Sequence, residues 1–350
     1  MFLFSFILCL NYFSVSDILQ SEVNQVYASE ENFFNAAEAL SGIIKQTPLL
    51  WSKSLNEKLR ANLYLKAECL QLTGSFKLRG AYYCMHRQFM KEGKQDVVAF
   101  SSGNHAQGVA MAAKMLNTKA TLVMPSDAPQ SKIDNTIALG AEVVFYDRYR
   151  ESREKIAQNL ANESGAFLIP AYDHDDVICG QGTVGLEAFH QMANIGRSLD
   201  RFYCPIGGGG LIAGSSSALN LFNPNANIIG VEPESLNDTQ RSLASGKRES
   251  IKIQPNTLCD SLMAETPGEI TFSINQRLIS SIDTVTDRQV IDAMRMAFNE
   301  FGIIVEPGGA ASLAAAISAI GQKTVAKEEN IVVVLSGGNI SEERHRKLIN

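Results

Sequence analysis

The sequence predicts an α/β protein built as two doubly wound parallel-sheet domains. Two observations carry this. Short apolar runs alternate with helix-like stretches along most of the chain, the pattern of parallel strands joined by helical crossovers. The runs VVAF, TLVM and IVVVL are apolar on both faces, as strands covered by helices on either side must be. A length of 350 residues suits two domains of roughly 100–200 residues each.

Taken in order, candidate strands fall at residues 63–67, 97–100, 120–124, 142–146, 201–205, 228–231 and 331–335. Helical patterns occupy 76–89, 105–116, 130–139, 152–164, 211–221, 287–301 and 310–320. From 96 to 171 strand and helix alternate in a self-contained series, enough for a small doubly wound sheet. This predicts a small domain at 96–171 and a larger, discontinuous one from 26–95 and 172–350, with a site in the cleft between them. Residues 281–285 and Asp287 read as loop and cap. Residues 1–25 are set apart as a disordered or targeting-like segment. Their apolar run, 1–13, is shorter than the ~20 residues of a spanning helix. No Lys or Arg precedes it, so the positive region of a secretory signal is missing. A cytoplasmic protein with no membrane contact is the expectation.

Composition narrows the function. Hydrophobic residues make up 45% and charged residues 19%, which is globular rather than disordered. A net charge of −6 argues against nucleic-acid binding, which needs a basic footprint. The six cysteines are far apart and form no CxxC pair, so buried reduced thiols are expected. The five histidines show no HxxxH spacing, which speaks against catalytic zinc.

Three glycine-rich turns and one lysine carry the chemistry. SSGNHAQG (101–108) follows a strand and opens a helix. Unpaired N–H groups there suit a carboxylate or phosphate. PIGGGGLIAG (205–214) puts four glycines between a strand and an apolar helix. Without Cβ atoms the backbone can approach an anion closely and turn several N–H groups towards it. The same string fits GxGxxA, with Glu232 ending a strand some way on, so a nicotinamide-dependent oxidoreductase is a rival reading. LSGGN (335–339) ends the most apolar strand, where open α/β sheets place ligands. In QLTGSFKLRGA (71–81), Thr73 or Ser75 reads as a helix cap and Lys77 falls in the first turn. The helix dipole disfavours a cation there and so favours the free amine that Schiff-base chemistry needs.

Taken in order, TGSFKLRGA, SSGNHAQG, GGGGLIAG and SGGN resemble the fold-type II pyridoxal-phosphate (PLP) enzymes, and among them the threonine/serine dehydratases, with serine racemases as near relatives. GQGTVGLE (180–187), GVEPE (230–234), CDSLMAETPGE (259–269) and VEPGGAASLAAA (305–316) extend the likeness over residues 40–340. The resemblance implies a tryptophan synthase β-like fold with the cofactor in the interdomain cleft. It implies that Lys77 binds PLP as a Schiff base and acts as the base at Cα, with Phe76 beside the ring. Asn104 would hydrogen-bond the ring 3′-oxygen, and Gly207, Gly208, Gly209, Gly210 and the Leu211 N–H would cradle the phosphate. Ser336 would meet the pyridine nitrogen; a hydroxyl cannot hold that nitrogen protonated as an aspartate would, which suits elimination. Ser101, Ser102, Gly103, Asn104 and His105 would bind the substrate carboxylate. Ser102 stands where some dehydratases carry alanine and a racemase carries the serine that protonates the opposite face of Cα.

The implied reaction is α,β-elimination of L-threonine to 2-oxobutanoate, or of L-serine to pyruvate, with release of ammonia. Serine racemisation and 3-hydroxyaspartate dehydration use the same residues. Glu232, Leu236 and Asp238 match the racemase divalent-cation site, whose oxygen ligands suit Mg²⁺. A PLP-dependent β-replacement enzyme shares the fold but leaves VEPGGAASLAAA unexplained. With only a short stretch after LSGGN, feedback inhibition through an isoleucine-binding regulatory domain is not expected. The expected partner is a small amino acid, and the expected assembly a symmetric homodimer.

Overall fold

Two sheets, mostly parallel, organise the chain in the computed structural model, which describes residues 29–101, 103–128, 130–253 and 257–350. The segment 1–25, Cys9 and Ser102 lie outside the described residues. The larger sheet has the order β1-β2-β10-β7-β8-β9, formed by β1 (Leu49–Leu50), β2 (Asn62–Lys66), β7 (Arg201–Pro205), β8 (Asn227–Pro233), β9 (Ser281–Val285) and β10 (Asn330–Val334). All its pairings are parallel except β1 on β2. The smaller sheet has the order β5-β4-β3-β6 and is wholly parallel: β3 (Val97–Phe100), β4 (Ala120–Pro125), β5 (Glu142–Tyr146) and β6 (Phe167–Leu168). The chain forms β2, builds the whole small sheet, and returns to finish the large one.

Strand alternation explains why these runs are apolar throughout. In the large sheet Leu63, Leu65, Tyr203, Ile229, Val231, Ile331 and Val333 face α11 (Asp287–Phe301) and α12 (Pro307–Gly321). Their neighbours Tyr64, Phe202, Cys204, Ile228, Val332 and Val334 pack against α7 (Asp175–Asn194) and α8 (Gly210–Phe222). The small sheet does the same. Val97, Ala99, Leu122 and Met124 meet α3 (Lys77–Glu92) and α4 (Asn104–Met115), whereas Val98, Val123 and Tyr146 meet α6 (Arg153–Ser164). With side chains at period 2, both faces are covered and both must be apolar.

The remaining helices are α1 (Glu30–Leu40), α2 (Lys53–Leu59), α5 (Gln130–Ala138), α9 (Asp238–Ser245), α10 (Glu269–Leu278) and α13 (Glu342–Ile349). None of the described helices is long and apolar enough to cross a membrane.

Three expectations are corrected. Residues 281–285 are not a loop but the edge strand β9, parallel to β8. Its half-polar sequence SIDTV reflects its place at the edge, where one side stays open. Asp287 is the first residue of α11, whose cap is Thr286 in a capping box with Gln289. Neither Thr73 nor Ser75 caps α3; Phe76 holds the cap position and contributes no side-chain bond. The 20-residue α7 contains the GQGTVGLE stretch, whose glycines lower helix propensity and hide its helical period.

A buried charge cluster braces the start of α3. Arg79, Lys66 and Glu68 have no exposure. Arg79 donates to both oxygens of Glu68 (2.8 and 2.8 Å) and both of Glu187 (2.7 and 2.8 Å). Lys66 Nζ donates to Glu187 (2.6 Å) and to the Thr47 carbonyl (2.8 Å). Two cations face two carboxylates, so the cluster is neutral.

Candidate functional site

Parallel strands send their C-terminal ends to the same side of a sheet, and the turns that follow them are where such folds hold ligands. Here the segments that follow β2, β3, β7 and β10 lead to Lys77, to Ser101, Gly103 and Asn104, to the four glycines and to Ser336 respectively.

Lys77 opens α3, and its Nζ donates to the Ala171 carbonyl at 2.7 Å. The amine lies 5.2 Å from the centre of the Phe76 ring. Burial lowers its pKa to about 8, so the free amine is far more accessible near neutrality than in an ordinary lysine. The backbone before it is tied to the β10 turn: Phe76 N–H donates to the Ser336 carbonyl at 3.2 Å, and Ser75 bridges Gly337. Ser336 is 5% exposed.

Gly209 has φ +92° and caps α8, leaving the first N–H groups of that helix without a side-chain cap. Only glycine enters this left-handed region without strain. A Cβ on Gly208 would fall 2.3 Å from the Tyr172 ring, and one on Gly210 would meet Tyr172 at 3.0 Å. The ring therefore lies against Gly208, and the Tyr172 backbone against Gly210, on one side of the glycine cup. Tyr172 is placed by its neighbour Asp173, whose carboxylate accepts from the N–H groups of Glu269, Ile270 and Thr271 and so caps α10. Beneath Gly209 sits the amide of Asn275, fully buried and without a hydrogen-bond partner. Gly207 packs against Leu262, and Leu211 follows as the second residue of α8.

Gly103 caps α4, and its N–H donates to Ser101 Oγ at 3.1 Å. Asn104 Nδ2 donates to Glu306 at 2.5 Å, and Asn104 Oδ1 accepts from Asn339 at 2.7 Å. His105 faces inward, 4% exposed, with Nε2 3.3 Å from the Ile169 carbonyl. Burial, and then the Lys77 charge, push its pKa down to about 3, so it is neutral. The turn has cations at its edge. Lys132 Nζ would lie 3.7 Å from a Cβ on Gly103 and is paired with Asp260 at 3.1 Å, and Arg153 stacks 5.4 Å above Phe100.

The geometry adds residues that motif reading missed: Tyr172, Lys132, Asn275, Asn339 and Glu306. Glu306 is 2% exposed, and burial raises its pKa to about 7 against the hydrogen bond from Asn104. A signal for it was present, since it is the one charge in the apolar run 303–316, and buried unpaired charges are rare.

The donor set fits a phosphate-bearing aldehyde. A buried amine of lowered pKa stands ready to condense with the carbonyl. The cup accepts no Cβ at Gly208 and crowds one at Gly210, and uncapped helix N–H groups with an orphaned amide surround it. The sequence pattern shared by pyridoxal-phosphate dependent enzymes matches residues 40–337. The chain belongs to that family. It is 39% identical to L-threo-3-hydroxyaspartate ammonia-lyase from Pseudomonas sp over 92% of this chain and 98% of that one. Serine racemase from Schizosaccharomyces pombe is 37% identical over 93% of this chain and 99% of that one. The crystal structure of a T.th. threonine deaminase superimposes with a TM-score of 0.83 at 39% identity, covering 89% of this chain and 99% of that one. The fold expectation holds: this is an α/β, fold-type II enzyme.

Away from the cup, Glu232 and Asp238 are buried side by side. Burial, and for Glu232 also the nearby Asp238 carboxylate, raise their pKa values to about 8 and about 7. Glu232 accepts the N–H groups of Thr239 (3.0 Å) and Gln240 (2.8 Å), while both Asp238 oxygens lack a partner. Leu236 lies between them in the turn after β8, its side chain 1% exposed. Among the described residues no group of three or more His, Cys, Asp or Glu side chains is gathered for a metal. The five described cysteines are buried and unpaired.

Proposed function

We propose that this chain is an ammonia-lyase that eliminates water and then ammonia from 3-hydroxy-α-amino acids, with L-threonine and L-serine as substrates and 2-oxobutanoate and pyruvate as products. The observation that carries it is the pairing of Lys77, its Nζ held on the Ala171 carbonyl at 2.7 Å, with a serine, not a carboxylate, at position 336 of the same cleft. Bound PLP supplies an electron sink for the carbanion formed at Cα. Phe76, Asn104, Gly207, Gly208, Gly209, Gly210, Leu211 and Ser336 hold the cofactor in the roles their motifs imply. Lys77 Nζ takes the proton from Cα. Ser101, Ser102, Gly103, Asn104 and His105 receive the substrate carboxylate at the start of α4, where the helix dipole favours an anion. Since His105 is neutral and turned to Ile169, its contribution there is its backbone N–H. The ring of Tyr172 against Gly208 excludes water from that side of the cup.

A second reading, 3-hydroxyaspartate as substrate, is favoured by Lys132 and Arg153 beside the carboxylate turn, since either suits a second carboxylate. Racemisation of serine rests on Ser102. We take residues 96–171 as a small domain and 26–95 with 172–350 as the large one, a symmetric homodimer as the assembly, and the cytoplasm as the location. Glu232, Asp238 and the Leu236 carbonyl form the proposed Mg²⁺ site, supported by the two orphaned Asp238 oxygens. The test is keto-acid release from L-threonine, L-serine and L-threo-3-hydroxyaspartate by PLP-loaded protein, with Mg²⁺ or EDTA. Release from threonine or serine supports the first reading. Release from hydroxyaspartate alone replaces it with the second. No keto acid from any of the three overturns the elimination. EDTA-insensitive activity and stability exclude the metal.

A further inference from the structure

The amide of Asn104 has two orientations of nearly equal shape, and only one presents an N–H to a ligand oxygen. The structure fixes which one. Glu306 Oε1 accepts from Asn104 Nδ2 at 2.5 Å, and Asn339 Nδ2 donates to Asn104 Oδ1 at 2.7 Å. Asn339 is oriented in turn by the Thr73 carbonyl, which can only accept, at 2.8 Å. The chain of bonds runs Thr73 carbonyl, Asn339, Asn104, Glu306, and joins the TGSFK, SSGN, VEPGG and SGGN segments in one line.

The surrounding backbone makes room for it. Gly74 has φ +69°, and a Cβ there would lie 2.4 Å from Asn339 Oδ1. Gly338 N–H donates to the Gly74 carbonyl at 2.8 Å, and Glu306 N–H to the Gly337 carbonyl at 3.0 Å. A Cβ on Gly337 would collide with the Glu306 carboxylate. We propose that Asn339 and Glu306 are positioning residues that lock the Asn104 amide with its remaining Nδ2–H available to the cofactor's 3′-oxygen. This rests on the assignment of Asn104 to that oxygen. A donor held there tunes the proton shared between the oxygen and the Lys77 nitrogen, so the network sets the cofactor's spectrum as well as the rate.

Asn339→Asp is nearly isosteric but removes the N–H groups that meet Thr73 and Asn104. Glu306→Gln is also nearly isosteric and keeps an acceptor. Both are measured with PLP bound, by the visible absorption band, its pH profile and turnover. The expected result is a displaced band and pH profile with at least a tenfold loss of kcat in Asn339→Asp, and a smaller displacement in Glu306→Gln, which exchanges a carboxylate acceptor for a neutral one. Asn339→Ser replaces Asn339→Asp if the latter does not fold, with the same expectation, because its hydroxyl is too short to bridge both partners. An unchanged band and pH profile in a folded Asn339 variant overturns the proposal. Asn104→Ala serves as the control for the underlying reading. If it also leaves the band unmoved, the Asn104 assignment itself fails; if it moves the band and the Asn339 variant does not, only the network fails.

Discussion

Arg79→Met tests the brace beneath the catalytic lysine. The guanidinium is fully buried and makes four contacts of 2.7–2.8 Å to Glu68 and Glu187. After its removal Glu187 keeps Lys66 at 2.6 Å. Glu68, with no exposure, keeps the hydroxyl of Thr47 as its side-chain hydrogen-bond partner and must share the Lys66 charge with Glu187. Breaking a buried pair from one side costs about 3–5 kcal/mol, because one charge is left without compensation. With a urea m-value of about 3 kcal/mol/M, the unfolding midpoint should fall by roughly 1–1.7 M. Circular dichroism and the PLP band should be followed together, since coincident transitions justify a two-state reading. The deficit should shrink as pH falls, because the folded variant gains by protonating its stranded carboxylate while the unfolded chain meets no such penalty. Glu68→Gln in the Arg79→Met background should recover part of the loss. A midpoint shift below about 0.3 M, less than a third of the smallest shift expected, or no recovery in the double variant, would refute this accounting of the cluster.

Further outcomes follow from the site. The rate at which PLP-free protein attaches PLP should rise with pH and level off above about 8, because burial depresses Lys77 to about that value and the free amine is the nucleophile; stopped-flow absorbance measures it. Gly209→Ala places a side chain at φ +92° and 2.8 Å from the Asn275 amide. A left-handed penalty of about 1–2 kcal/mol plus this contact should weaken PLP binding at least tenfold in equilibrium titration, with the sheets intact by circular dichroism. The five described cysteines are buried, and burial raises the pKa of Cys69 and Cys179 to about 12. A thiol reagent should therefore leave all five unmodified in native protein and reach them only in denaturant. Lys132→Met should reduce activity on 3-hydroxyaspartate more than on threonine if Lys132 receives a second carboxylate; equal effects in steady-state assays would remove it from that role.

Much of the site was readable because its parts are local. SSGN and GGGG each lie between a strand end and a helix start, TGSFK opens a helix and SGGN follows a strand end. The two-sheet plan was readable from the apolar runs, whose two buried faces leave no polar alternation. What could not be read depends on contacts across the chain. Asn104 meets Glu306 and Asn339 only because β3 and β10 end at one cleft, across 202 and 235 residues of sequence. Tyr172 flanks the cup because Asp173 caps a helix nearly a hundred residues on. Helix α7 escaped because its glycines, which suit close helix packing, erase the usual propensity signal. Strand β9 escaped because an edge strand need not be apolar on both faces.

The sheet order has a consequence for how the protein is made. Strand β10 lies between β2 and β7, yet it is the last strand of the chain. During synthesis the small sheet, complete by Leu168, can form while the large one cannot close. Until residue 334 has left the ribosome, β2 and β7 each present an unpaired, apolar edge to other nascent chains and to chaperones. A stop codon at position 330 would thus take out the middle of the sheet rather than its rim. Such a truncation should yield a chain whose small sheet folds and whose remainder aggregates.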